Sequence, residues 1–208
     1  MPRCSCDGFM PVKKKWPIIF VVNTSQSMRE NAQKMRSIIN DFIKMFSDNS
    51  LEVVPDISVA TVSSDCRWVA KNQPDSYRIT ESDFNFCEVH MNISTAVKEL
   101  DKQLSRKELF SHSLTGYYVP LIVFVTNGVE KIRDYESLSQ LKENRWYKRA
   151  IKIGVLIGGS DECESLEILL GNKNWVVSED QFHFIKKALD FETWYIGNNR
   201  TYERIERF

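Results

Sequence analysis

Small polar residues, among them Asn23, Ser25 and Ser27, directly follow the apolar residues 18–22. This pattern predicts a buried strand that runs into a polar loop and then into a helix. Folds with parallel strands build ligand and metal sites from such junctions, at the carboxyl ends of the strands. Hydroxyl and amide oxygens can coordinate a hard cation such as Mg²⁺, but they also bond loop backbone or begin helices. The junction is therefore the first candidate site.

Two further apolar runs end in the same way. Residues 120–125 are followed by Thr126-Asn127-Gly128, and residues 151–157 are followed by a glycine pair and Ser160. Short, wholly apolar runs are typical of parallel strands that are buried on both faces. The carboxyl ends of parallel strands share one edge of the sheet, so we expect Ser25, Asn127 and Ser160 to lie along that edge.

Strand-like and helical segments alternate along the chain, which predicts a doubly wound, mostly parallel central sheet flanked by helices. The predicted strands cover residues 16–22, 53–54, 57–62, 67–70, 120–125, 151–157 and 175–177. The predicted helices begin near Ser27 and cover residues 93–110, 135–147 and 164–170, and a last helix contains Phe182, Ile185 and Leu189. We expect a flexible segment at residues 1–15, one domain at 16–196 and a tail at 197–208.

Composition excludes several classes of protein. The chain has 208 residues with 28 basic and 28 acidic side chains, so no net field attracts nucleic acid or an anionic membrane. The five cysteines are odd in number and irregularly spaced, which argues against a disulfide framework. No apolar run is long enough to span a bilayer. We therefore predict a cytoplasmic protein, with the oligomeric state left open.

With the strand order taken into account, three features together resemble a von Willebrand factor A (vWA) domain. They are the junction after residue 22, the Thr126-Asn127-Gly128 junction, and between them a helix that carries Ala96, Val97 and Leu100 after a short polar stretch. The family patterns are D-x-S-x-S after the first strand, a threonine-bearing loop before a helix, and T-D-G after a later strand. The resemblance covers about residues 16–191 and is closest to the bacterial TerY-type proteins of tellurium-resistance and phosphorylation-linked stress clusters. It implies a metal ion-dependent adhesion site (MIDAS), where serines and aspartates hold Mg²⁺ or Mn²⁺ and a partner protein supplies a carboxylate.

The sequence departs from the family at both charged positions of that site. Ser25 and Ser27 match the two serines, but Asn23 and Asn127 stand where the family has aspartates. The threonine position falls within residues 91–95, with Met91 or Asn92 as the best match, because Thr95 lies too far into the predicted helix. Each lost charge next to a dication is worth several kcal/mol at a screened dielectric. We therefore expect a degenerate MIDAS with no bound cofactor, or at most weak binding of Mg²⁺ or Mn²⁺.

These features predict a non-catalytic vWA-like module that binds protein partners within a multiprotein assembly for bacterial stress response, defence or phosphorylation-linked signalling. One alternative is a working Mg²⁺- or Mn²⁺-dependent adhesion-type domain. A second alternative is an enzyme on a Rossmann-like sheet. The sequence offers little for the second, because it lacks the glycine-rich dinucleotide and P-loop motifs and the G-x-S-x-G nucleophile motif. Cys163 lies near a helix start but has no paired base in the sequence.

Overall fold

A computed structural model describes residues 14–46, 53–111, 116–128, 130–158, 163–171 and 175–181. Six strands form one sheet in the order β3-β2-β1-β4-β5-β6. Their bounds are Lys14–Asn23 (β1), Val53–Val62 (β2), Cys66–Gln73 (β3), Leu121–Thr126 (β4), Ile151–Leu156 (β5) and Val176–Ser178 (β6). All neighbouring strands pair in parallel except β2 and β3. The predicted doubly wound, mostly parallel sheet is thus confirmed.

Helices cover both faces of this sheet. They are α1 (Ala32–Met45), α2 (Ile93–Gln103), α3 (Tyr135–Glu143), α4 (Arg145–Arg149) and α5 (Glu164–Leu170). Helix α1 packs its apolar stripe on one face, against alternate residues of β1, β2, β4 and β5. Helices α2, α3 and α5 pack on the other face, against the residues between them. Strands β1 and β4 carry apolar side chains toward both faces, which explains their continuous apolar runs.

Three predicted helix boundaries differ from the structure. A 3-10 helix, Gln26–Asn31, precedes α1, so the α-helix begins five residues after Ser27. Helix α2 ends at Gln103 and not near residue 110. The predicted helix over 135–147 is interrupted at Asn144, whose side-chain oxygen accepts hydrogen bonds from the backbone N–H groups of Trp146 and Tyr147. This side chain begins α4, and apolar periodicity carries no signal for such a cap.

Strands β2 and β3 form the predicted hairpin at one edge of the sheet, with a turn after Val62. The pairing shifts register on both sides of Val59, which marks an irregularity in the ladder. Asn72 in β3 has φ +51°, a left-handed conformation that asparagine tolerates better than most residues. Its side-chain nitrogen donates to Asp56 Oδ2 at 3.0 Å and to the carbonyl of Leu109 at 3.0 Å. The hairpin edge is therefore twisted and tied to the chain that follows α2.

The described residues include no helix that combines the length and apolar character needed to cross a membrane. Strand β1 begins at Lys14, two residues before the predicted start, because Lys14 and Lys15 extend the pairing with β2. Several predictions lie outside the described residues: those for Ser160, the last helix with Phe182, Ile185 and Leu189, and the segment 197–208.

Candidate functional site

The candidate site lies at the carboxyl ends of β1 and β4, which are neighbours in the sheet. The strand order reverses between these two strands, and ligand sites of doubly wound sheets form at such a switch point. The structure brings together Asn23, Ser25, Ser27 and Asn127, as the sequence predicted. Asn23 and Ser25 are buried, with exposed fractions of 0% and 2%, whereas Ser27 is exposed. The loops therefore expose only part of the polar cluster at the edge.

Asn23 organises the loop that follows β1. Its side-chain oxygen accepts a hydrogen bond from the backbone N–H of Ser25 at 2.8 Å, a local bond that asparagine commonly makes at the end of a strand. Ser25 is the residue before the 3-10 helix, but its side chain caps no backbone group. Its hydroxyl instead lies 3.0 Å from the Ser27 hydroxyl. The expected alternative, that Ser27 is only a helix N-cap, is therefore wrong, since Ser27 lies inside the 3-10 helix.

Asn127 connects the loop after β4 to both parts of the first loop. Its side-chain nitrogen donates to Ser27 Oγ at 3.0 Å, and its side-chain oxygen lies 3.3 Å from Asn23 Nδ2. Asn23 Nδ2 also lies 3.2 Å from Thr126 Oγ1. The two asparagines thus connect the loops after β1 and β4 through hydrogen bonds between side chains.

Glu130 is the site residue that the sequence reasoning missed. Its carboxylate accepts a hydrogen bond from Thr126 Oγ1 at 2.8 Å through one oxygen and a short hydrogen bond from Asn23 Nδ2 through the other. Gly128, at φ +80°, turns the loop, and its backbone N–H donates to Thr126 Oγ1 at 3.2 Å. This turn returns Glu130 to the end of β4. The sequence signal would have been a lone acidic residue four positions after Thr126, which no periodicity reveals.

The environment of Glu130 disfavours its charge. Burial raises the pKa of this carboxyl above its ordinary value, although the hydrogen bond from Thr126 and the nearby His90 oppose that change. Asn23 and Thr126 are neutral donors, so among the described residues no cation forms an ion pair with the carboxylate. The cluster thus holds one carboxylate, that of Glu130, among otherwise neutral polar side chains.

A cleft of about 760 Å³ opens beside this cluster. Ser25, Ser27 and Glu130 line one side of it, and the segment before α2 lines another through His90 and Asn92. That segment is tied down by hydrogen bonds between the backbones of neighbouring loops, including one at 2.6 Å from the Asn92 N–H to the carbonyl of Ser63. The cleft is thus built from three separate parts of the chain at one edge of the sheet.

The region predicted to hold the threonine position also lies here. Met91 and Asn92 line the cleft, and Asn92 is the N-cap of α2, where its side chain accepts from the backbone N–H of Ser94 at 3.2 Å. Thr95 lies in the first turn of α2 and its hydroxyl donates to the carbonyl of Asn92 at 2.6 Å. The Thr95 hydroxyl is therefore engaged with the helix start, which favours residues 91–92 as the closer match.

The arrangement does not fit a divalent metal ion. An Asn23 side-chain nitrogen, which can only donate, points at the one carboxylate of the cluster, and an Asn127 nitrogen points at Ser27 Oγ. Glu130 Oε1 and Ser27 Oγ, two of the oxygens that would coordinate a cation, already accept hydrogen bonds from these amides. Among the described residues, no group of three or more His, Cys, Asp and Glu side chains is placed to hold a metal ion. The hydrogen bonds of the cluster are satisfied from within the protein.

Comparisons with solved structures identify the fold. Proximal thread matrix protein 1 of the mussel byssus superposes with a TM-score of 0.61 at 16% identity, over 85% of this chain and 47% of that chain. One structure of that protein has a zinc-occupied MIDAS motif. The pilus adhesin SpaC of Lactobacillus rhamnosus GG superposes with a TM-score of 0.60 at 11% identity, over 90% of this chain and 30% of that chain.

This chain has a vWA-like fold. It spans about half of the mussel protein and under a third of the adhesin. No protein-family model matches the sequence, and no curated protein is similar to it. At these identities the likeness shows the vWA-like fold alone. The chemistry of the site must therefore be argued from the residues of this chain.

Cys163, the cysteine considered above as a nucleophile, is not among the described residues that line the cleft. Cys163 precedes α5, and its thiol donates to Glu167 Oε1 within the same helix at 3.2 Å. Burial and the nearby carboxylate of Glu99 raise the pKa of the Cys66 thiol to about 12. A thiol with so high a pKa holds its proton at neutral pH and is a poor nucleophile.

Proposed function

We propose that this chain is a non-catalytic, vWA-like protein-interaction module that binds its partner without a metal ion. The observation that carries the proposal is the network in which Asn23 and Asn127 donate to Glu130 and Ser27. In this network the side-chain amides of the two asparagines donate hydrogen bonds to oxygen atoms of the site. The vWA-like fold of an adhesin and of a byssus matrix protein supports a role in binding other proteins.

Electrostatics support the absence of a metal. Two aspartates would contribute two formal negative charges, whereas the described cluster holds the one carboxylate of Glu130. At an effective dielectric of 20, a unit charge about 4 Å from another is worth about 4 kcal/mol, and twice that against a dication before desolvation. The loss of one such interaction weakens binding by several orders of magnitude. Mg²⁺ in addition requires near-ideal octahedral geometry, which hydrogen-bonded amide nitrogens do not provide.

The cellular setting follows from the resemblance stated above. Likeness to TerY-type proteins supports a cytoplasmic multiprotein assembly that serves bacterial stress response, defence or phosphorylation-linked signalling. In that setting a metal-free site would keep partner binding independent of changes in divalent cation concentration. A tagged form captured from cells in Mg²⁺ and in EDTA should retain the same partners in both buffers. A partner lost in EDTA, and restored by Mg²⁺, would contradict the proposal.

The second candidate function is a metal-dependent module, and one distance favours it. The hydroxyls of Ser25 and Ser27 are 3.0 Å apart. Adjacent oxygens in an octahedron around Mg²⁺ are also about 3 Å apart, since each lies about 2.1 Å from the ion. Glu130 would then serve as the carboxylate ligand, after the Asn23 side chain had turned its oxygen inward. The two functions differ in whether the site binds a metal in solution.

Titration calorimetry with Mg²⁺ and Zn²⁺, on protein first stripped with EDTA, separates these candidates. We expect the natural protein to bind Mg²⁺ more weakly than about 1 mM. The double variant Asn23→Asp with Asn127→Asp should gain binding by at least about a hundredfold, because two charges return to the site. Ser25→Ala in that double variant is the control and should abolish the gain. Submillimolar binding by the natural protein that disappears in Ser25→Ala would favour the second candidate.

A further inference from the structure

Two cationic side chains line the cleft beside the candidate site. Lys131 and Arg133 lie on the chain that leads from β4 to α3, and both side chains are exposed. His90 lines the cleft from the segment before α2. These three residues define a surface that we call the basic cleft. Asn23, Ser25, Ser27 and Asn127, the residues matched to the motif, do not include these three, so the basic cleft adds charged groups beside the candidate site.

The charges of the basic cleft are not used inside the fold. Among the described residues, neither Lys131 nor Arg133 forms an ion pair. Asp134, the next residue after Arg133, does form an ion pair, at 2.8 Å from Lys98. Asp134 also begins α3, since its side chain accepts a hydrogen bond from the backbone N–H of Ser137. Asp134 and Lys98 are thus paired with each other. The side chains of Lys131 and Arg133, which precede Asp134, are exposed to solvent.

The one carboxylate that lines the basic cleft does not cancel these charges. Glu130 is held toward the interior by Asn23 and Thr126, and burial raises the pKa of its carboxyl. Two cationic side chains therefore line a cleft in which the one acid among the described lining residues, Glu130, is hydrogen-bonded within the site.

Two exposed apolar side chains lie close in sequence to residues of the basic cleft. Val89, at 45% exposed, precedes His90, and Tyr135, at 61% exposed, follows Arg133 by two residues. Large apolar residues that are this exposed mark interaction surfaces when they cluster with polar groups. Val54, at 41% exposed, lies at the start of β2 and thus toward the opposite end of the sheet.

We propose that the basic cleft binds an acidic polypeptide segment of a protein partner, with its carboxylates held by Lys131 and Arg133 and its apolar side chains against Val89 and Tyr135. This inference rests on the proposed function, since it names the partner chemistry of the same sheet edge. Charge complementarity selects the occupant, because the cationic side chains of the cleft match the carboxylates of an acidic segment. A nucleic acid is disfavoured, because the 28 basic and 28 acidic residues leave the chain with no net positive charge.

The test uses a short capped peptide of alternating glutamate and leucine, and a second peptide with lysine in place of glutamate. Binding is measured by fluorescence anisotropy, in EDTA and in Mg²⁺. We expect the glutamate peptide to bind in both buffers and the lysine peptide to bind in neither. The double variant Lys131→Glu with Arg133→Glu should lose affinity by about tenfold or more, since each reversed charge replaces attraction with repulsion.

Lys142→Glu is the matched control. Lys142 is exposed in the last turn of α3, away from the carboxyl edge of the sheet, and the variant makes the same kind of charge change. It should bind the glutamate peptide as the natural protein does. A second pair, Lys131→Gln with Arg133→Gln, should show an intermediate loss. Thermal unfolding of each variant confirms that the fold is retained, as expected for exposed side chains.

The outcomes distinguish this inference from the proposed function. Equal binding of the glutamate peptide by the natural protein and the reversed-charge variant would overturn the basic cleft as its site. Failure of the natural protein to bind that peptide, or equal binding of the lysine peptide, would also overturn it. Binding only in Mg²⁺ would contradict the metal-free function, whereas the charge-reversal series would still decide whether Lys131 and Arg133 hold the peptide.

Discussion

Asp56 and Glu130 are two carboxylates at opposite ends of the parallel sheet, and the protein accommodates them differently. Asp56, near the start of β2, is 3% exposed and lies 3.4 Å from Lys15 Nζ and 3.0 Å from Asn72 Nδ2. Glu130, after β4, has neutral donors alone as its hydrogen-bond partners. A cation balances the first charge inside the fold, which is the usual condition for burying a carboxylate. The Glu130 carboxylate is held by hydrogen bonds, and the pKa of this carboxyl is raised above its ordinary value.

The difference separates a structural polar group from a candidate functional one. Asp56 joins β1, β2 and β3, and its contacts are complete within the fold. Glu130 lies after β4, at the point where the strand order reverses, and it lines a cleft. No cation pairs with it among the described residues. Groups with perturbed pKa values in clefts are more often functional than groups in closed ion pairs. This comparison predicts that variants at the two ends will affect different properties.

Removal of the Asp56 carboxylate should have the largest effect on stability. Asp56→Ala leaves Lys15 and the strained Asn72 without their shared partner, so we expect the free energy of unfolding to fall by about 3 kcal/mol. Urea denaturation followed by circular dichroism measures the loss. Asp41→Ala, at an exposed position of α1, is the control and should change the free energy of unfolding by less than about 0.5 kcal/mol. Equal losses in the two variants would mean that the Asp56 contacts contribute little.

A second carboxylate beside Glu130 should have an intermediate effect. Asn23→Asp replaces a donor to Glu130 with a like charge, and in EDTA at neutral pH we expect a loss of about 2 kcal/mol in the free energy of unfolding. Adding Glu130→Gln should restore most of it, since an amide can donate to the new carboxylate. The double-mutant cycle, measured by urea denaturation, isolates the coupling between the two side chains. Additive effects would show that Asn23 and Glu130 do not interact in solution.

The smallest effect concerns the pH dependence of stability at Glu130. Because the folded-state pKa of this carboxyl is raised, the folded protein holds the proton at pH values where the unfolded chain has released it. This group therefore makes stability decrease as pH rises from the ordinary glutamate pKa through the raised one. Glu130→Gln should remove that slope. At acid pH, where both side chains are neutral, the free energy of unfolding of the variant should differ from that of the natural protein by less than about 1 kcal/mol. Urea titrations across this pH range give the comparison, and an unchanged slope would assign it to other groups.

The sequence predicted the parts of the structure that depend on local patterns. Continuous apolar runs identified β1, β4 and β5, and the rule for parallel strands predicted that Ser25, Asn127 and Ser160 lie at one edge of the sheet. The structure places Ser25 and Asn127 there, and Ser160 lies outside the described residues. The helix over Glu164–Leu170 was predicted with its observed bounds, since its leucines follow the helical period and Gly171 ends it at φ +74°.

The missed features depend on contacts between distant segments. Glu130 was missed because a turn at Gly128, and not a periodic pattern, directs its side chain back to Thr126. The basic cleft joins His90 to Lys131 and Arg133 across about forty positions of sequence, and only the packed loops bring them together. The break at Asn144 was invisible for a similar reason: its amide nitrogen donates to the carbonyl and the carboxylate of Asp101 in α2.

The twisted hairpin edge makes β3 a poor template for pairing with a strand of a second chain. A straight edge strand offers unpaired backbone groups to which a second chain can add a strand. In β3 the register shifts opposite Val59, the left-handed Asn72 interrupts the extended backbone, and the Asn72 side chain anchors that point to Asp56 and Leu109. These features discourage strand addition, so sheet extension and fibre-like self-association through β3 are disfavoured.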